Sequence, residues 1–171
     1  PQLLLLSGVG HSAQLQAHDI DVVTHLPGVG KNLQDHLMGV VTYESAQPFE
    51  LAPSQHMTQN TAFARDDPEN PTPDMVHFLI NALFMNHGFD NPKETQGYTI
   101  AFHMTYPESE GEVTLRSSDP FDDPRIDFKY LSDRRDLDRL VQGLKRAREI
   151  GESDHMDEYR GEELWPGEDV Q

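Results

Sequence analysis

The fold is decided by the stretch DMVHFLINAL at residues 74–83, in which side-chain character alternates with a period of two. Such alternation is typical of a β-strand, because successive side chains point to opposite faces of a sheet. The two faces carry Val76, Phe78, Ile80 and Ala82 on one side and Met75, His77, Leu79 and Asn81 on the other. The stretch therefore predicts a strand with an apolar face.

Further strands are predicted on both sides of this stretch. Residues 98–105 alternate in the same way, and shorter alternating runs follow at residues 111–116 and 125–130. Upstream, β-branched and aromatic residues favour a strand at residues 38–44. A short strand is also expected at residues 21–24. Because the links between successive strands are short, we expect an antiparallel sheet.

Helices are predicted on either side of the sheet. The longest begins at Ser132, a good N-cap residue, and ends at Gly151. Its apolar residues recur at helical spacing and form one stripe, consisting of Leu137, Leu140, Val141, Leu144, Ala147 and Ile150. Short helices are expected at residues 1–7 and 12–18. Together with the strands they predict an α+β fold, an antiparallel sheet with flanking helices.

Two regions carry weak signals. Residues 46–73 hold five of the chain's twelve prolines and are predicted to be mostly loop, with one helical turn near residues 55–64. Residues 152–171 carry eight acidic side chains and one arginine, and the sequence Trp165-Pro166-Gly167 is their one firm anchor.

Composition restricts the classes of function. The 171 residues include 30 Asp and Glu against 13 Lys and Arg, for a net charge of −17. Because binding to phosphate groups needs clustered Lys and Arg, we do not expect the protein to bind nucleic acid. The acidic excess is spread along the chain, which favours a salt-adapted protein over an ordinary acidic surface, and both explanations stay open. The absence of cysteine, of a signal peptide and of a membrane-spanning segment predicts a cytoplasmic protein.

The turn LPGVGKNLQDH at residues 26–36 is the strongest candidate for a functional loop. Its glycines allow a close approach of the backbone to another surface, and Asn32, Asp35 and His36 follow them within a few positions. A second glycine pair occurs at Gly8 and Gly10. Each pair is half of a dinucleotide-binding fingerprint, so the chain lacks a nucleotide-binding motif of its own.

The nine histidines do not predict a metal site, because no pair has ligand spacing on a helix and no cysteine accompanies them. His77 interrupts an apolar strand, and it is either a core histidine or a site residue. His36 stabilises the turn or contacts a substrate. His103 is interpreted as structural, and Met57 as a core residue on pattern alone.

Four ordered motifs resemble the glucose–methanol–choline (GMC) flavoprotein oxidoreductases, in their choline oxidase and choline dehydrogenase branch. They are PQLLLLSGVG at residues 1–10, the turn at residues 26–36, the hairpin GEVTLRSSDP at residues 111–120 with the Tyr130-Leu131 that follows it, and YRGEELWPG at residues 159–167. The resemblance covers essentially the whole chain. It implies that residues 1–36 are the edge of an FAD-binding domain with its connecting loop, and that residues 37–171 are part of a substrate-binding domain.

The resemblance implies an FAD-dependent enzyme that oxidises an alcohol to an aldehyde by hydride transfer to the flavin. The family's catalytic histidine and its partner are expected beyond the C-terminal end of this chain, and its FAD fingerprint before the beginning. The chain is thus expected to be an inactive middle fragment whose partners are the missing parts of the same protein. Asn32 and Asp35 are expected at the cofactor, and His36, Met38, Met57 and His77 at the substrate.

Two departures from the choline-specific members bear on the substrate. Those members carry a glutamate where this chain has Met38 and a tryptophan where it has Met57. Without the carboxylate and the aromatic side chain, the site has less to attract the positive charge of a quaternary ammonium substrate. We therefore expect the substrate to be an uncharged alcohol. The alternative to an enzyme is a non-catalytic binding or assembly module on a GMC-derived scaffold.

Overall fold

The computed structural model of the protein describes residues 1–50, 56, 58–65, 69, 71–85, 95–167 and 169–170, without the side chain of residue 59. The elements along the chain are α1 (Gln2–Leu6), β1 (Val9–Gly10), α2 (Ser12–Gln16), β2 (Thr24–His25), β3 (Met38–Ser45), β4 (Thr58–Ala64), β5 (Met75–Ile80), β6 (Gly97–Met104), β7 (Glu112–Thr114), β8 (Arg125–Asp127), α3 (Arg134–Gly151) and β9 (Arg160–Trp165).

The chain divides into two compact units. The first unit combines residues 1–35 with residues 106–136, and the second combines residues 36–105 with residues 137–171. The boundary between residues 35 and 36 falls inside the glycine-containing turn. The assignment of residues 1–36 and 37–171 to two family domains stays a prediction.

The first unit is built from two small sheets around a small core. Strands β1 and β2 pair in parallel, and β7 and β8 form an antiparallel hairpin. Its core consists of Leu5, Leu15 and Leu115. The buried carboxylate of Asp136 accepts hydrogen bonds from the backbone N–H groups of Glu108 at 2.9 Å and Ser109 at 2.8 Å. These bonds fix the loop before β7.

Gly30 is the residue at which the turn of residues 26–36 approaches the hairpin. Its φ of +81° lies in the left-handed region, and a Cβ there would stand 2.1 Å from the carbonyl oxygen of Val113. The Val113 N–H donates to the Gly30 carbonyl at 2.7 Å. A Cβ at Gly28, by contrast, would meet nothing within 4 Å. The close approach expected of this turn is therefore made at Gly30.

The second unit is a five-stranded sheet in the order β4-β5-β6-β3-β9, and all its neighbouring strands are antiparallel. One face packs against α3, and we call it the helix face. Its buried residues are Val41, Tyr43, Met75, Tyr98, Ile100, Phe102 and Met104, which contact Leu140, Leu144 and Ala147 of α3. The apolar stripe predicted for the helix therefore faces the sheet at these three positions.

The opposite face of this sheet we call the His103 face, defined by Met38, Val40, Thr42, Phe78, Ala101 and His103. Val40 and Ala101 are buried there with Ile80, and Trp165 of β9 packs on them. At one end the hydroxyls of Thr42 and Thr99 lie 3.1 Å apart. At the other end Met38 is 37 % exposed, so this face opens toward its His103 end.

Strand β9 is held by an ion pair with α3. Arg148 Nε and Nη2 donate to the Glu163 carboxylate at 3.0 and 2.7 Å, and the two side chains are 18 % and 6 % exposed. Arg148 also donates to the carbonyl oxygens of Gly167 at 3.0 Å and Val170 at 2.6 Å. One guanidinium therefore ties the last strand and the segment after it to the helix.

The predicted α+β class with an antiparallel sheet and flanking helices is confirmed. One prediction was wrong: residues 58–64 form a strand rather than a helical turn. Residues 160–165, for which no element was predicted, also form a strand. The second short strand is Thr24–His25 instead of residues 21–24. In the part of the chain that the structure describes, no helix is both long and apolar enough to span a bilayer.

Candidate functional site

The His103 face brings together four of the chain's chemically informative side chains. Met38 stands directly across from His103 in the pairing of β3 with β6, so both side chains alternate onto the same face. The His36 ring stacks on the His103 ring, with centroids 4.7 Å apart and planes at 13°. The Phe78 ring of β5 makes a T-shaped contact with His103, with centroids 6.0 Å apart and planes at 64°. We regard this cluster as the candidate site.

Both histidine rings are oriented by backbone carbonyl groups. His36 Nε2 lies 3.0 Å from the Thr105 carbonyl oxygen, and His103 Nδ1 lies 2.9 Å from the Met104 carbonyl oxygen. A carbonyl oxygen accepts a hydrogen bond and never donates one, so the nitrogen facing it must carry a proton. The geometry thus selects Nε2–H for His36 and Nδ1–H for His103.

Few charged side chains lie on this face of the sheet. Among the side chains of β3, β5 and β6 that alternate onto it, the one carboxylate is Glu44. Glu44 lies six residues from Met38, which is about 20 Å along an extended strand. The buried Asp74 directly precedes β5 and alternates onto the same face as Val76. Position 38 itself supplies an uncharged side chain and no carboxylate.

His77 lies on the helix face. It pairs with Phe102 across β5 and β6, is 3 % exposed, and its Nε2 lies 3.2 Å from the Gly143 carbonyl oxygen of α3. Met38 lies on the other side of the same sheet. His77 and Met38 therefore lie on opposite faces of the sheet, and the expected place of both residues at the substrate stays a prediction.

An open cavity of about 240 Å³ does adjoin His77 on the helix face. Its lining is mostly apolar and includes Ile100, Ile150 and Met156. The carbonyl contact of His77 and its burial against α3 are what a core histidine makes. His77 thus has a packing role in this unit beside an open cavity.

Asn32 and Asp35, the expected cofactor residues, belong to the first unit. Asn32 is exposed and has a φ of +57°, which asparagine tolerates better than most residues. Asp35 Oδ2 accepts a hydrogen bond from the phenolic O–H of Tyr130 at 2.5 Å, and the Tyr130 ring stacks on Phe128 with centroids 4.8 Å apart. The hydrogen bond to Asp35, more than burial, raises the pKa of Tyr130 to about 12.

Met57 lies outside the described residues, so its expected role stays a prediction. The described residues contain no group of three metal-ligating side chains. The sequence interpretation passed over His103 and Phe78, which share the face of Met38. The available signal was the alternation of β6, since His103 falls on the face of Thr99 and Ala101, but only the strand register shows that Met38 shares it.

Comparison with known proteins identifies the family. A family model described as GMC oxidoreductase matches residues 107–171. The chain is 38 % identical over its whole length to choline oxidase of Arthrobacter globiformis and 34 % identical to mitochondrial choline dehydrogenase of Mus musculus, covering 32 % of each protein. Pyridoxine 4-oxidase from Mesorbium loti superposes on 96 % of the chain with a TM-score of 0.86 and 31 % identity, and the match covers 33 % of that structure.

The antiparallel sheet with one helix-covered face and a histidine-containing second face is thus a GMC-type fold. A crystal structure of formate oxidase shares it with a TM-score of 0.85 at 20 % identity. The chain belongs to the GMC oxidoreductase family. It spans about a third of the length of the curated relatives it matches.

Proposed function

We propose that the protein carrying this chain is an FAD-dependent oxidoreductase that oxidises an uncharged alcohol to the aldehyde. The proposal is supported by relatives named choline oxidase, choline dehydrogenase and pyridoxine 4-oxidase, at 31–38 % identity. Each of these names refers to the oxidation of a substrate that carries an alcohol group. The His103 face, with His36 and Met38 at its exposed end, is the proposed substrate surface.

FAD, when bound, would supply the acceptor for the hydride removed from the alcohol carbon. Gly8 and Gly30 are not free to cradle a pyrophosphate, because a Cβ at either position would strike the chain's own carbonyl groups at 2.3 and 2.1 Å. Asn32 fits the cofactor better: its exposed amide both donates and accepts hydrogen bonds, as a flavin ring edge requires. Asp35 would help to hold the cofactor with a carboxylate whose position is fixed by the hydrogen bond that its Oδ2 accepts from Tyr130.

The observation that carries the substrate assignment is the uncharged side chain of Met38 at the exposed end of the His103 face. Choline-specific members, by the resemblance, carry a glutamate at this position, and the cross-strand neighbour of Met38 is a histidine instead of an acid. An apolar side chain here favours contact with an uncharged alcohol. Choline would find no carboxylate at position 38.

The test is flavin reduction in the purified protein. We expect flavin absorbance, and we expect uncharged primary alcohols to bleach it anaerobically with lower half-saturating concentrations than choline. Met38→Glu should restore choline use, lowering the KM for choline about tenfold, as one partly buried charge pair predicts. Met38→Gln, a neutral variant of similar size, is the matched control and should leave the preference unchanged.

Two results would overturn the proposal in different ways. Protein that binds no flavin would instead be a non-catalytic binding or assembly module. Protein that binds flavin but is reduced by choline at lower concentrations than by any uncharged alcohol would be a choline-oxidising enzyme, and the argument from Met38 would be wrong.

A further inference from the structure

His103 occupies the middle of the candidate site. In the sheet register it lies between Met38 of β3 and Val76 of β5. The His36 ring stacks on the His103 ring, and the Phe78 ring makes a T-shaped contact with it. The His103 imidazole thus adjoins a second imidazole and the apolar side chains of Met38, Val76 and Phe78, and a few polar groups among apolar neighbours are the usual composition of a small-molecule site.

The proton on His103 is assigned by its backbone contact. Nδ1 lies 2.9 Å from the Met104 carbonyl oxygen and must donate to it. In the neutral ring the lone pair is then on Nε2, which is the ring nitrogen farther from the backbone. His103 therefore presents a hydrogen-bond acceptor at the end of its side chain.

The ring is also held in place before any ligand arrives. Its Nδ1 bond fixes one edge of the ring, and the stack with His36 fixes its plane. His36 is itself oriented by the Thr105 carbonyl at 3.0 Å. Because the His103 ring is already oriented, binding a ligand to it loses little side-chain conformational entropy. This favours a role for His103 in binding.

We propose that His103 is a substrate-binding residue whose Nε2 accepts a hydrogen bond from a hydroxyl group of the alcohol. Met38 and Phe78 form the apolar wall beside the bound molecule. The inference rests on the proposed function, and it adds a contact that specifies an uncharged hydroxyl compound. A neutral acceptor between apolar walls selects a hydrogen-bond donor and gives no advantage to a cation over a neutral alcohol.

The experiment compares His103→Phe and His103→Gln in the flavin-loaded protein. Phenylalanine keeps an aromatic ring for the stack but removes the acceptor, whereas glutamine places an amide oxygen near the position of Nε2. We expect His103→Phe to raise the KM for the alcohol about tenfold with kcat nearly unchanged, since a ground-state hydrogen bond is lost. His103→Gln should recover most of that loss.

Two controls separate binding from a structural effect. An analogue of the substrate that lacks the hydroxyl should inhibit the native protein and His103→Phe with equal inhibition constants. His155→Phe, the same substitution at an exposed turn of the same unit, should change neither KM nor kcat. Flavin content should be the same in all variants. If His103→Phe does not fold, the His103→Gln variant still decides, because the proposal requires its KM to stay within about threefold of native.

An unchanged KM in folded His103→Phe would overturn the inference while leaving the proposed function intact. Equal weakening of the hydroxyl-free inhibitor would also overturn it, because His103 would then act by packing. If the native protein shows no flavin reduction by any alcohol, the proposed function fails first, and this inference fails with it.

Discussion

Replacement of Arg148 by methionine is predicted to destabilise the second unit strongly. The arginine side chain is 18 % exposed and that of Glu163 is 6 % exposed, so the pair is largely removed from water. Arg148 donates two hydrogen bonds to the carboxylate and two more to backbone carbonyl oxygens after β9. Its loss leaves Glu163 with the Gly167 N–H, at 3.1 Å, as its remaining donor among the described residues.

The expected magnitude follows from the burial of the pair. Breaking a buried ion pair by removing one partner costs about 3–5 kcal/mol, whereas an exposed pair is worth less than about 1 kcal/mol. Because Arg148 retains some exposure, we expect Arg148→Met to cost about 3 kcal/mol of the free energy of unfolding. The double variant Arg148→Met with Glu163→Met should lose less, because it leaves no unpaired buried charge.

The assay is urea unfolding followed by the fluorescence of Trp165, the single tryptophan of the chain. Trp165 belongs to β9, the strand that the ion pair holds, so it reports on the affected region. Lys145→Met, at an exposed position on the same helix, is the control and should change stability by less than about 0.5 kcal/mol. A double variant as unstable as Arg148→Met alone would refute the reasoning, because the cost would then not come from the unpaired carboxylate.

Three further predictions concern single groups. The hydroxyl of Tyr98 is buried without a hydrogen-bond partner among the described residues, and burial raises its pKa to about 12. We therefore expect Tyr98→Phe to leave the free energy of unfolding unchanged or raise it by about 1 kcal/mol, and a clear loss in urea unfolding would contradict this. The hydrogen bond to Asp35 raises the pKa of Tyr130 from 10.0 to about 12, so the stability it adds is present below pH 10 and is lost as the pH rises through 12. Tyr130→Phe should remove that part of the alkaline stability profile, and an unchanged profile would count against the bond. Gly30→Ala should cost about 2 kcal/mol or more, because φ is +81° and the Cβ would clash, whereas Gly28→Ala should be nearly neutral by thermal unfolding. Equal effects of the two alanines would show that the close approach at Gly30 is not rigid.

The central strands could be predicted because their own side chains alternate. Residues 74–83 and 98–105 were assigned as strands; β5 lies within the first range, β6 begins one residue before the second, and both strands have the predicted faces. The edge strand β4 was missed, since its sequence is rich in polar residues and lies among prolines. It becomes a strand because residues 58–64 pair with β5, and pairing with a neighbour overrides weak local propensity.

Strand β9 was missed for a different reason. Residues 160–165 contain acidic side chains that look like part of a solvated tail. The bond that stabilises the strand joins Glu163 to Arg148, 15 residues earlier on the helix. Neither residue alone predicts this contact, because an acidic side chain near an arginine in sequence is more often exposed than buried. The strand is a product of tertiary pairing.

The candidate site could be predicted only in part, because it depends on register. Alternation divides each strand into two faces, but it does not say which face of β5 joins the face of β3 that carries Met38. The resemblance implied that His77 and Met38 both contact the substrate, which stays a prediction, and the observed pairing puts Phe78 and His103 on the face of Met38. A slip of one residue in β5 would exchange His77 and Phe78 between the faces. The register is held by apolar packing, since Met75 and Leu79 contact the helix-face core and Phe78 packs in the other cluster. The chemistry of the site is thus decided by the packing of residues that do not belong to it.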